Sequence, residues 1–112
     1  MQLFILILKQ VVQMNDIIRE LAKSGVKGGT IIEGTGMAEA LMNMEDLPLF
    51  AMLKRVIEEE EKGTSQVMLF AIKDEQVKPT SEIIKKVMGD LNMPNTGIMF
   101  SVPISYIEGL GK

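Results

Sequence analysis

From Gln13 to Gly36 the chain carries, in order, an amphipathic helix, a glycine stop, a short strand and a glycine-spaced turn. No other stretch restricts the fold as much. Asn15 is placed to cap the helix, because its side-chain oxygen can accept from an orphan backbone N–H. Ile17, Ile18, Leu21 and Ala22 form one apolar stripe at i, i+3, i+4 spacing. Gly25 stands where a left-handed residue ends a helix at little cost. Gly28 and Gly29 turn the chain into a strand of about Gly29–Glu33, which Gly34 and Gly36 break.

The remaining segments extend this unit into a layered domain. Leu3–Lys9 is apolar on both faces, as a central strand covered on both sides would be. Met37–Gly63 has a helical pattern that starts near Asp46 and Pro48, with a stripe of Leu49, Met52, Leu53, Val56 and Ile57. Ser65–Lys73 reads as a third strand. Glu75–Leu91 reads as a second helix, which Pro79 kinks or starts late. Gly97–Pro103 is a fourth strand, Ile104–Ile107 a short edge strand, and Gly109–Lys112 a loose tail. The order β-α-β, helical insert, β-α-β predicts an α+β domain over 1–112. It is a ferredoxin-like βαββαβ sandwich: four antiparallel strands, two helices on one face, and the insert (about 37–64) between strands two and three.

Composition narrows the function. At 112 residues the chain holds one core. Its net charge of -3 and pI near 5.0 lack the basic footprint of a nucleic-acid binder. It has no His and no Cys, so the commonest nucleophiles, bases and soft metal ligands are missing. The absence of Cys fits a cytoplasmic home. The apolar opening, ended by Lys9, is too short to span a bilayer. Ten Met against one Tyr and no Trp favour adaptable packing and interfaces over a catalytic pocket.

Two motifs carry a family resemblance. In the first half they are Met14-Asn15-Asp16-Ile17, Ser24-Gly25-Val26, Gly28-Gly29-Thr30-Ile31 and the pair Gly34/Gly36. Near the C-terminus they are Gly97, Phe100, Pro103 and Ile104 within Asn95–Ile104. In this order they resemble the PII signal-transduction family, the nitrogen regulatory proteins, over most of the chain outside 37 to about 64. The resemblance implies a ferredoxin-like subunit in a homotrimer. Its expected role is regulatory and non-catalytic: binding a small metabolite, a protein partner to be regulated, or both.

The departures bear on the ligand. The family's segment between strands two and three is a long polar loop with a magnesium-nucleotide Gln and often a modifiable Tyr. Here Met37–Gly63 has neither and is rich in Met and Leu. The family's phosphate-contacting Lys falls on Ile98, and its C-terminal basic residues fall in Ser105–Gly109, which has none. Without them the charge-assisted hydrogen bonds a triphosphate needs are lost. ATP binding is therefore expected to be weak or absent, and the sequence names no cofactor or metal.

The candidate ligand-binding residues are Gly34, Gly36, Thr96 and Gly97, which lie in loops where backbone can approach a ligand. The simpler readings, preferred on the residues alone, are a plain strand exit at Gly34 and Gly36 and a turn set by Pro94 and Asn95. The candidate interface residues are Leu49, Phe50, Met52, Leu53, Val56 and Ile57, which pack on the trimer or dock a partner helix-in-groove. Glu58–Glu61 points around its helix and reads as a solvated face. Thr80-Ser81-Glu82 reads as helix-start chemistry, and Tyr106 as a packing or interface residue. Two other readings share the strand order. One is an ACT-type small-molecule-binding module, expected as a side-by-side dimer. The other is an enzyme on the same sandwich.

Overall fold

A computed structural model describes residues 1–9, 14–26, 28–37, 40, 65–89 and 97–110. Its elements are β1 (Gln2–Leu8), α1 (Met14–Lys23), β2 (Thr30–Gly34), β3 (Ser65–Ile72), α2 (Val77–Met88) and β4 (Gly97–Pro103). The strands form one sheet in the order β2-β3-β1-β4, with every neighbouring pair antiparallel. β1 and β2 are each antiparallel to β3, so they run parallel to one another with β3 between them. β3 and β4 straddle β1 in the same way. Each helix thus connects two parallel strands that are not adjacent, and the two units interleave.

Strand alternation sorts the side chains into two layers. Phe4, Leu6 and Leu8 of β1 and Met68, Phe70 and Ile72 of β3 are buried against the helices. Met14, Ile17 and Leu21 of α1 and Ile84 and Met88 of α2 complete this core. The stripe expected on α1 is thus partly realised. Ile17 and Leu21 are buried, while Ile18 is 37% exposed. Burying one such side chain is worth roughly 1.5–3 kcal/mol, so this layer is a major source of stability for the described fold.

The ends of α1 show both a correction and an agreement. The described helix begins at Met14, so Asn15 lies inside the first turn instead of capping it. At the other end Gly25 takes φ 100°. Its N–H donates to Ala22 O (3.1 Å), and the Val26 N–H reaches back to Leu21 O (3.0 Å). This is a Schellman closure, and it needs a left-handed residue at Gly25.

α2 starts late. A 3₁₀ turn, Asp74–Gln76, precedes it, and Pro79 sits in the first helical turn, where its missing N–H leaves no bond unmade. The helix closes at Met88 with Gly89 at φ 80°, short of Leu91. Ser81 Oγ donates back to Lys78 O (2.8 Å), a bond inside the helix and not the acceptance of an orphan N–H expected of a helix start. Thr80 differs from that expectation: it is 2% exposed and belongs to the core layer. The Asp74 carboxylate accepts from the Met1 ammonium (3.1 Å) and Gln2 Nε2 (3.3 Å). These partners, the ammonium first, hold its pKa below the usual carboxylate value.

Ile104–Ile107, expected as a short edge strand, forms no strand. The Ile104 N–H donates to Met1 O (3.0 Å), and the chain beyond it pairs with nothing as a ladder. Of the expected insert, Met37 and Ala40 are helical, and the Ala40 N–H donates to Gly36 O (2.9 Å). Residues 41–64 lie outside the described residues. Among the described residues no helix is long and apolar enough to cross a membrane.

Candidate functional site

The face of the sheet turned away from the helices is apolar from edge to edge. On β1 it presents Leu3, Ile5 and Ile7. Their register partners on β4 are Val102, Phe100 and Ile98, and on β3 they are Ala71, Leu69 and Val67. On β2 it continues through Thr30 and Ile32, opposite Leu69 and Val67. No charged side chain falls at these positions.

Exposure grows from the centre of the face to its edges. The β1 and β3 residues are half-buried by their neighbours in the sheet. Ile98 is 54% exposed, Ile32 47%, Phe100 42% and Val102 40%. A soluble monomer rarely leaves a contiguous apolar patch beyond a few hundred Å² in water. β1 reads as apolar on both sides for this reason: one side meets the helices and the other forms this face. The missed contributors are Ile98, Phe100 and Val102. Their period-2 spacing in Gly97–Pro103 was visible in the sequence, but not which face they share.

A second apolar feature lies on the helix side, beside β2. Ile18, Leu21, Ala22 and Val26 from α1 and its closing turn, with Ile31, Met68, Phe70 and the Gly28-Gly29 backbone, line an open cavity of about 330 Å³. Between α1 and α2 lies a charged groove with Asp16, Arg19, Glu20, Lys23 and Lys86. Asp16–Arg19 (3.0 Å) and Glu20–Lys23 (3.1 Å) are exposed i,i+3 pairs that satisfy one another. Such pairs contribute little, and this groove is a solvated surface.

Of the sequence-chosen ligand residues, Gly34 and Gly97 do not come together. Gly34 ends β2 and Gly97 begins β4, at the same end of the sheet but on its two opposite edge strands. Three strand spacings separate them, roughly 14 Å at about 4.8 Å each. Gly97 also has a packing reason to be glycine. A Cβ there would lie 2.5 Å from the Ile7 carbonyl oxygen, and φ is 156°. At Gly34 a Cβ would make ordinary contact with Val67 Cγ2 (3.5 Å). Gly36 accepts the helical bond from Ala40. Thr96 and the stripe Leu49, Phe50, Met52, Leu53, Val56 and Ile57 lie outside the described residues. Among the described residues no three carboxylates gather as a metal site would require.

Tyr106 is 73% exposed and pairs with the Glu108 carboxylate, which raises its pKa above the ordinary phenol value. No protein-family model matches the chain, and no curated protein matches it either.

Proposed function

We infer that this protein is a PII-like regulatory module, non-catalytic, which works as a homotrimer and binds a small metabolite, a partner protein or both. The observation that carries this reading is the apolar open face of the sheet. Three such faces turned toward a common axis remove one another from water, and cyclic symmetry makes them identical. The strand order β2-β3-β1-β4 supports the ferredoxin-like subunit this reading requires, since two interleaved β-α-β units produce that order.

The face also weighs against the ACT-type alternative. Side-by-side pairing of two sheets satisfies an edge strand but leaves the broad face in water. Ile98, at the position of the family's phosphate-binding Lys, is part of this face opposite Ile7. That supports an apolar role for it and weak or absent ATP binding. The partner-docking role stays with the Leu49–Ile57 stripe on sequence grounds alone.

Light scattering on the purified chain tests the assembly: a mass of three subunits is expected, and a clean monomer at micromolar concentration rejects it. A thermal-shift screen with adenine nucleotides and small acids tests the ligand, since any ligand that prefers the native state raises the melting temperature. Micromolar affinity for magnesium-ATP would overturn the nucleotide part.

A further inference from the structure

We propose that the segment Ile104–Leu110 of one copy adds as a strand to the outer edge of β2 in the next copy. The proposal rests on the trimeric reading above and supplies the contact that closes the ring. Three observations lead to it.

The first is the acceptor. β2 pairs with β3 on one side, and its other side carries no strand among the described residues. Sheet edges left open are usually guarded by Lys, Pro or a bulge. Thr30–Gly34 contains neither Lys nor Pro and a single charge, Glu33, while Ile31 (45% exposed) and Ile32 (47%) put large apolar groups on both of its faces. The helix-side cavity opens beside Ile31, so an added strand would find room for a side chain there.

The second is the donor. Ile104–Leu110 is neither helix nor strand in the subunit, yet it exposes Tyr106 (73%), Ile107 (37%) and Leu110 (52%). Consecutive residues of a strand point to opposite faces. Tyr106 and Ile107 would therefore offer one apolar group to each face, as Ile31 and Ile32 do. A two-sided apolar edge meets a two-sided apolar strand, and backbone hydrogen bonds supply the ladder.

The third is placement. The donor leaves β4, which is the opposite edge of the sheet from β2, so β1 and β3 stand between it and its own acceptor. When strands run along a cyclic axis, each corner brings one edge of a sheet to the other edge of the next. A donor and an acceptor on opposite edges make a heterologous contact, which closes into a ring when the rotation between copies is cyclic. Five residues of strand pairing fall well short of the roughly 800 Å² per partner of a stable interface. The open face continues onto β2 at Ile32, and that face supplies the rest.

The chain has no Cys, so introduced thiols report cleanly. Ile31→Cys is co-expressed with Ser105→Cys, Tyr106→Cys, Ile107→Cys or Glu108→Cys in turn, and each assembly is sized before oxidation. At least one mixture should form covalent dimers. It should do so about 100-fold or more faster than random collision at micromolar concentration, because thiols held in one assembly see millimolar effective concentrations. Neither variant alone should cross-link. A trimer in which no pair cross-links overturns the strand exchange and leaves the trimeric reading intact. Cross-linking of one variant with itself also overturns it, since that marks a two-fold contact. A monomer before oxidation removes both readings.

Discussion

Phe4 and Phe70 are register partners on β1 and β3, and their rings stack with centroids 5.1 Å apart and planes 24° from parallel. One residue along each strand, Ile5 and Leu69 are partners too, but on the opposite face and only half-buried. Two adjacent pairs on the same two strands therefore do different work. One lies in the helix-side core, and the other lies on the open face.

The stacked pair predicts a large cost for truncation. Phe70 is 4% exposed and Phe4 2%. Phe70→Ala should destabilise the fold by about 3–5 kcal/mol, read by denaturant unfolding at fixed protein concentration, because an oligomer's stability depends on concentration. A loss under about 1 kcal/mol would mean that this layer packs far more loosely than in ordinary cores.

The open face predicts the opposite behaviour. Phe100→Lys places a charge beside Ile5 without touching the helix-side core. Circular dichroism should remain native while light scattering shows the mass falling toward one subunit. Lys86→Glu, in the charged groove, should leave the mass unchanged. An unchanged trimer in Phe100→Lys would show that the face is not the interface.

The two strand glycines should separate. Gly97→Ala drives a Cβ into the Ile7 carbonyl, so a loss of about 1–3 kcal/mol is expected from backbone strain. Gly34→Ala meets only Val67 Cγ2 at ordinary distance and should stay within about 1 kcal/mol of the parent. Equal and small effects at both positions would remove the packing account of Gly97.

Tyr106 is the one tyrosine and there is no Trp, so its phenolate absorbance titrates without overlap. The bond to Glu108 stabilises the protonated phenol, because ionisation would set two negative charges together. Glu108→Gln removes the charge and should move the Tyr106 pKa downward, toward the ordinary value. An unchanged titration curve would show that the two groups do not meet in solution.

How far the fold was legible varied by element. β4 was legible to both of its ends, Gly97 and Pro103, because glycine and proline bracket an alternating run. The Gly25 stop was legible because a local chain reversal needs a local residue. The end of α2 was placed at Leu91 instead of Met88, although Gly89 supplies there a left-handed stop like that of Gly25. Thr80 was misassigned because its hydroxyl suits a helix start, while its burial (2% exposed) is set by tertiary packing that no local pattern encodes.

By itself the sequence determined the alternation of helix and strand and the apolar character of the strands on both sides. Those properties follow from side-chain period and from glycine and proline chemistry, which act within a few residues. Only the tertiary structure decided which apolar side meets the helices and which is left open. It also decided that Gly34 and Gly97 stand on opposite edges. Strand order and register are set by packing between segments far apart in the chain, and no local pattern encodes which strands will be neighbours.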